Sequence, residues 1–284
     1  MKYIYVALLF LNSVLPAMAA EEVVEGDHPV IRLWPISLIG GEQNRLNEEV
    51  TNRGKIRYHN IKDPNLTVFP VQSTEPTPAV LYCPGGGYVH LTPRSPIIKW
   101  LNDQGITVFM LKYTVPDDRE AAFRDVQRAM RVVRRDAAKW NVDSSQFGVL
   151  GSSAGGHLVA RLSQNYLAPA YDAIDDADQL SCEPAFVIIA SGAYFATENG
   201  GTDLTEEFPM RSKVAPTFLV YAEDDENFVK GGIAYEKALR AAGGSARILL
   251  SESGGHGLNG VDWYPECGEW LKNLGLNLKQ RAPV

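Results

Sequence analysis

Gly151-Ser152-Ser153-Ala154-Gly155 places a serine at the centre of a G-x-S-x-G run. The apolar stretch Phe147-Gly148-Val149-Leu150 precedes it and a helical pattern follows it. Strand, sharp turn and helix in that order hold a serine hydroxyl at the tip of a strained turn, the arrangement of a nucleophile elbow. A serine hydroxyl is a weak nucleophile at neutral pH, so acyl transfer at Ser153 needs a base beside it and an acid to orient the base. Five histidines are available: His28, His59, His90, His157 and His256. Only His256 lies in a glycine-rich loop after the final strand, within Gly254-Gly255-His256-Gly257. His157, one helical turn beyond Ser153, is the alternative base and is read as packing behind the elbow. The acid comes from Glu223-Asp224-Asp225-Glu226, just past strand 217–221, with Asp225 preferred and Asp224 the alternative. The chain order serine, acid, histidine is then fixed.

The developing oxyanion needs N–H donors. The amide of Ala154, directly after the serine, is one candidate. The amides of Gly86 and Gly87 are the others, in the loop Gly85-Gly86-Gly87 that follows strand 79–83. Glycine lets the backbone approach a substrate with no Cβ in the way. Tyr88 and Tyr194 are candidates to line a substrate pocket, with core packing the alternative for each.

These residues must be held by a regular framework. Ala79–Cys83, Ile106–Leu111, 146–150, Phe186–Ala190, Thr217–Tyr221 and Ala246–Leu250 read as short strands, most of them continuous apolar runs. Such runs suit parallel strands covered on both faces. Helices are predicted over Pro96–Asp103, Arg119–Trp140, 154–165, Gly232–Ala242 and Pro265–Leu274. Strand–helix alternation implies an open, mostly parallel sheet with helices on both sides, the carboxyl ends of its strands forming the crevice where sites collect. Lys55–Asn60 and Leu66–Val71, with no helix between them, are expected to form an antiparallel N-terminal edge, and residues 21–50 to wrap the surface. In helix 119–140, Arg124, Arg128, Arg131, Arg135 and Lys139 fall mostly off the apolar stripe and read as a solvated face. Asp172, Asp175, Asp176 and Asp178 read as a polar loop, since no metal-ligand spacing is present.

The chain has 284 residues, of which 45% are hydrophobic and 21% charged, with a formal net charge of −7. That composition suits one sizeable core, a single domain over 21–284, and disfavours nucleic acid or an anionic membrane as partner. Residues 1–20 read as a leader: Lys2, an apolar stretch from Ile4 to Leu15, and Ala17-Met18-Ala19 as an A-x-A cleavage signal. The expectation is export to the periplasm or beyond, with cleavage near Ala19 and no membrane insertion after processing. Of the three cysteines, Cys83, Cys182 and Cys267, the last two are a possible disulfide in an oxidising compartment.

The chain resembles the α/β-hydrolase superfamily, and within it the bacterial exported carbohydrate esterases, the acetylxylan esterases and feruloyl-esterase-like enzymes. The resemblance rests on Leu33-Trp34-Pro35, Cys83-Pro84-Gly85-Gly86-Gly87-Tyr88, Asp125-Val126-Gln127-Arg128-Ala129-Met130, Gly151-Ser152-Ser153-Ala154-Gly155-Gly156-His157-Leu158 and Gly254-Gly255-His256-Gly257. It implies a serine esterase without metal or cofactor, acting on acetyl groups of plant cell-wall polysaccharide such as xylan. A broad-range short-chain carboxylesterase is the nearest alternative, and a non-catalytic carbohydrate-binding protein on a hydrolase fold is the alternative from another class.

Overall fold

The computed structural model describes residues 22–25, 28–41, 48–52, 55–210 and 214–279. The strands are β1 (Glu22–Glu25), β2 (His28–Arg32), β3 (Glu48–Asn52), β4 (Lys55–His59), β5 (Asn65–Phe69) and β6 (Thr77–Cys83). After them come helix α1 (Ser95–Asp103), strand β7 (Thr107–Lys112), helix α2 (Arg119–Arg135), strand β8 (Val142–Ser152) and helix α3 (Ala154–Asn165). The chain ends with β9 (Val187–Ala190), β10 (Thr217–Ala222), α4 (Val229–Ala241), β11 (Ala246–Ser251) and α5 (Tyr264–Asn273). The leader expected over residues 1–20 lies outside the described residues.

Nine strands form one sheet in the order β1-β2-β5-β7-β6-β8-β9-β10-β11. From β7 to β11 every neighbouring pair is parallel. The apolar runs β6, β7, β9 and β10 are buried along their whole length, as strands covered on both faces must be. In β10, Phe218 meets Trp270 of α5, with ring centroids 5.5 Å apart. Tyr221, three residues on and therefore on the opposite face, lies so close to α4 that a Cβ on Gly232 would sit 2.3 Å from its ring. Helices thus cover both faces. β11 pairs with β10 alone and has no buried residue, the signature of an edge.

The antiparallel edge differs from the one expected. It is built of β1, β2 and β5, so residues 22–25 and 28–32 join the sheet instead of wrapping its surface. β4 leaves the main sheet to pair with β3. Its Tyr58 also exchanges backbone hydrogen bonds with Leu91, of 2.9 and 2.8 Å, which ties this hairpin to the segment just after the glycine loop. Period-2 alternation signals a strand but not its partner.

The basic residues of this helical stretch are corrected in part. Arg124 and Lys139 are exposed, but Arg128 and Arg131 are buried. The chain leaving α3 runs back over them: Arg128 grips Asp175 at 2.5 Å and Asp178 at 3.0 Å, and Arg131 donates to the carbonyl of Leu180. Asp172 and Asp176 of the acidic loop are exposed, whereas Asp175 and Asp178 are the counter-charge of a helix. Helix α2 also stops at Arg135, short of the expected Trp140. At its other end, buried Asp125 accepts from the Trp34 indole at 2.7 Å and from the Thr114 amide and hydroxyl at 2.8 and 2.7 Å. Burial raises that carboxyl to about 6, against the pull of these donors. The three cysteines are free and separately buried, so the possible Cys182–Cys267 bridge is not formed. Cys182 instead donates to the Tyr166 carbonyl at 3.3 Å.

Candidate active site

The sheet order reverses around β6: the chain crosses from β6 to β7 on one side, then returns to β8 on the other. Between β6 and β8 lies the topological switch point, where the two departing loops diverge and leave a crevice. The glycine loop follows β6 there and Ser153 follows β8.

Ser153 has φ 54° and ψ −120°, a left-handed conformation that a residue with a side chain adopts only under constraint. The constraint is visible on both sides of it. A Cβ on Gly151 would lie 2.1 Å from the Gly155 carbonyl oxygen, and one on Gly155 would lie 2.0 Å from that of Cys83. Only glycines let strand, turn and helix approach this closely. The Ser153 carbonyl accepts from the amides of His157 and Ala193 at 3.1 and 3.0 Å, which fixes the turn from behind.

Ser153 Oγ lies 2.7 Å from His256 Nε2, and His256 Nδ1 lies 2.8 Å from a carboxylate oxygen of Asp225. A carboxylate only accepts, so Nδ1 carries the proton and Nε2 is left to accept from the serine hydroxyl. Asp225 is buried, whereas the His256 side chain is 37% exposed, so the chain of bonds runs from the interior toward solvent. Phe228 packs against the His256 ring at 4.7 Å. Exposed Asp224 instead accepts from the amides of Gly254 and Gly255, at 3.2 and 2.8 Å. It holds the loop; Asp225 holds the ring.

Opposite Ser153 runs the glycine loop. A Cβ on Gly85 would touch that of Ser153 at 2.9 Å, so loop and serine are in contact. Gly86 has φ 140°, and its carbonyl accepts from Val89 and His90 at 3.1 and 3.2 Å. Its carbonyl so engaged, the loop presents the Gly86 and Gly87 backbone to a cavity of about 230 Å³ that also touches Ser153, Arg94, His256 and Leu258. Ala154 is the first residue of α3, so its amide belongs to the unpaired first turn and adds the positive end of a helix dipole.

Neither tyrosine lines that cavity. Tyr88 is buried, and its hydroxyl lies 2.9 Å from His157 Nδ1. His157 Nε2 in turn lies 3.0 Å from Glu207. The carboxylate fixes this tautomer too, with Nε2–H donating to Glu207 and Nδ1 accepting from Tyr88. Burial lowers the His157 pKa, which keeps the ring neutral. His157 is thus a brace between the glycine loop and residue 207, far from the role of a base. Tyr194 is half-buried between Tyr88 and Phe228, its hydroxyl 3.5 Å from where a Gly87 Cβ would stand.

Sequence reasoning missed Arg94, Phe228 and Glu207. Arg94 caps α1, lines the cavity and donates to the Gly257 carbonyl at 2.7 Å, bridging to the His256 loop. The prolines on either side of Arg94-Ser95 were its only local signal.

Comparison with known proteins places this geometry in context. The model of the family described as BD-FAE matches residues 67–178. An acetyl ester-xyloside bifunctional hydrolase from Caldicellulosiruptor lactoaceticus superposes with a TM-score of 0.70 and 25% identity, over 87% of this chain and 96% of that one. A thermophilic esterase of Thermogutta terrifontis, with propionate bound, shares the fold at a TM-score of 0.65 and 20% identity, over 77% of this chain and 92% of that one. The chain has the α/β-hydrolase fold. It is also 30% identical, over 216 residues, to an acetylxylan esterase of Xylanibacter ruminicola, a match covering 71% of this chain and 45% of that protein. Over 111 residues it is 28% identical to endo-1,4-beta-xylanase B of Butyrivibrio fibrisolvens, covering 36% of this chain and 17% of that one. The chain therefore spans less than half the length of either curated relative.

Proposed function

We propose that this chain is a serine esterase that removes acetyl or other small acyl groups from xylan-type polysaccharide or its oligosaccharides. The observation that carries the proposal is the unbroken sequence of hydrogen bonds from Ser153 through His256 to Asp225, at 2.7 and 2.8 Å, facing a loop of glycine amides. The substrate class rests on likeness to an acetylxylan esterase and to an acetyl ester-xyloside hydrolase.

In this reading Ser153 Oγ attacks the ester carbonyl carbon while His256 Nε2 takes its proton. Asp225 keeps the imidazole in the accepting tautomer and steadies the imidazolium that forms. The negative charge on the carbonyl oxygen is met by the amides of Gly86, Gly87 and Ala154, donors whose fixed backbone would spare the reaction their reorganisation. Collapse breaks the bond to the sugar oxygen, which receives the proton from His256. Water then attacks the acyl-serine by the same route, releasing the carboxylic acid and restoring Ser153. No step calls for a metal or cofactor. The proposal also places the protein outside the cytoplasm, on the leader-like residues 1–20.

The test is acetate release from acetylated xylan, with p-nitrophenyl acetate in parallel. Ser153→Ala is expected to lower kcat by about 10⁶-fold on both. Turnover of the aryl ester alone would retain the triad and discard the saccharide substrate. Retained turnover in a folded Ser153→Ala protein would discard the mechanism.

A further inference from the structure

A cavity of about 230 Å³ at Ser153 is smaller than the ~300–1,000 Å³ of pockets that enclose a drug-sized ligand. It has room for an acyl group and part of the sugar that carries it. The remainder of a saccharide chain must lie on the neighbouring surface.

One neighbouring surface has the required chemistry. A groove of about 430 Å³ runs between α1 and α5. Its wall is aromatic: Trp100 stacks on Tyr264 with centroids 5.0 Å apart and planes 23° apart, and Trp263 packs against both. Trp100 and Trp263 are buried, which leaves half-buried Tyr264 as the ring at the surface. At Gly268 a Cβ would meet only the Gln104 amide oxygen, at 3.8 Å, so the groove is open there because glycine leaves it open. Asp103, Asp262 and Glu269 rim it with acceptors, Asp103 paired with Lys99 at 2.7 Å and Glu269 with Lys272 at 3.9 Å, so the rim also carries ammonium donors. A flat ring, a neutral amide and several carboxylates offer a sugar both an apolar face for its C–H groups and acceptors for its hydroxyls.

The groove also lies next to the candidate active site along the chain. Arg94, at the start of α1, lines the serine cavity, and Pro96, two residues on, lines the groove. At 1.5 Å per residue, Trp100 stands about 9 Å along the helix from Arg94. The loop that carries His256 runs directly into α5 at Tyr264.

We propose that the groove between α1 and α5 is an accessory subsite for the saccharide chain that bears the acyl group, with Tyr264 as its stacking surface. The proposal rests on the saccharide-esterase reading above. Tyr264 and Gly268 touch none of the reacting groups, so they serve as probes. Tyr264→Ala removes the ring; Gly268→Leu fills the groove from a helix that tolerates a larger residue. The measurements are kcat/KM on p-nitrophenyl acetate, on an acetylated xylose monosaccharide and on acetylated xylo-oligosaccharides of increasing length. Quenching of tryptophan fluorescence by unacetylated xylo-oligosaccharide gives a readout independent of turnover.

The native protein is expected to gain kcat/KM with chain length. Each variant is expected to lose about tenfold on the longer substrates, chiefly through KM, while p-nitrophenyl acetate is turned over as before. Tyr264→Phe should restore most of the loss. If the native protein favours longer chains and both variants keep that preference, the subsite is refuted while the esterase reading stands. If the native protein hydrolyses the aryl ester but no saccharide and its fluorescence does not respond to the oligosaccharide, both fall together.

Discussion

Two adjacent acids, Asp224 and Asp225, carry the same charge and differ in what they hold. Asp225 accepts from the imidazole and Asp224 from two backbone amides of the His256 loop. Asp225→Asn leaves a side chain of the same shape but offers an amide to Nδ1, favouring the wrong tautomer. It is expected to lower kcat by about 10⁴-fold with KM little changed. Asp224→Asn keeps one acceptor oxygen and is expected to lower kcat by no more than about tenfold. Steady-state kinetics of the two variants on one ester separates them, and equal losses would overturn the assignment. Ser153 carries a second consequence. Its positive φ of 54° is strained for any side chain and not for glycine. Ser153→Gly should therefore be more stable than Ser153→Ala by about 1 kcal/mol, both being inactive, as read from paired thermal melts.

At the scale of elements, α2 is fixed to the sheet by apolar packing and to the return segment by charge. Arg128 is buried with Asp175 and Asp178, whereas the Lys99–Asp103 pair on α1 is exposed. Solvent screens the exposed pair, so Lys99→Ala is expected to cost less than about 1 kcal/mol. Arg128→Ala would take the guanidinium from two part-buried carboxylates, leaving Asp175 only the longer 3.4 Å ion pair with Arg135, and would leave the Leu33 carbonyl without its arginine donor. Its expected cost is about 3–5 kcal/mol, measured by denaturant unfolding. A loss below 1 kcal/mol would show that the segment is held by other contacts. The brace formed by Tyr88, His157 and Glu207 works at this scale too, linking the glycine loop to α3 and to residue 207.

For the whole molecule, the ion pair shapes the dependence of stability on pH. The hydrogen bond from Arg128 holds the Asp175 carboxyl below the usual carboxylate range. The folded state then binds its proton less readily than the unfolded state. The stabilisation is present above the unfolded pKa, near 3.9, and is lost as pH falls through the folded value. Asp125 has the opposite sign. Raised to about 6, it favours the folded state below about pH 4, and that contribution fades as pH rises through 6. Unfolding free energy measured from pH 6 down to pH 3 should fall less steeply at the acid end for Asp175→Asn than for the native protein. Parallel curves would mean that Asp175 does not drive the acid limb.

The sequence by itself determined the strand–helix alternation, the burial of the parallel strands and the chain order of Ser153, the acid loop and His256. Apolar runs, glycines and chain order are local properties, and each reports the same parallel sheet. What only the tertiary structure decided is which groups meet. Asp225 was separated from Asp224 by the direction of a loop, not by its type. Arg128, read as solvated, proved to be buried against part-buried Asp175 and Asp178 because residues 47 and 50 positions apart are brought together. β4 lies outside the main sheet because alternation does not name a partner. Tyr88 turned from a pocket residue into a brace because its hydroxyl found His157. In each case the deciding contact is long-range, and no local pattern of side chains encodes it.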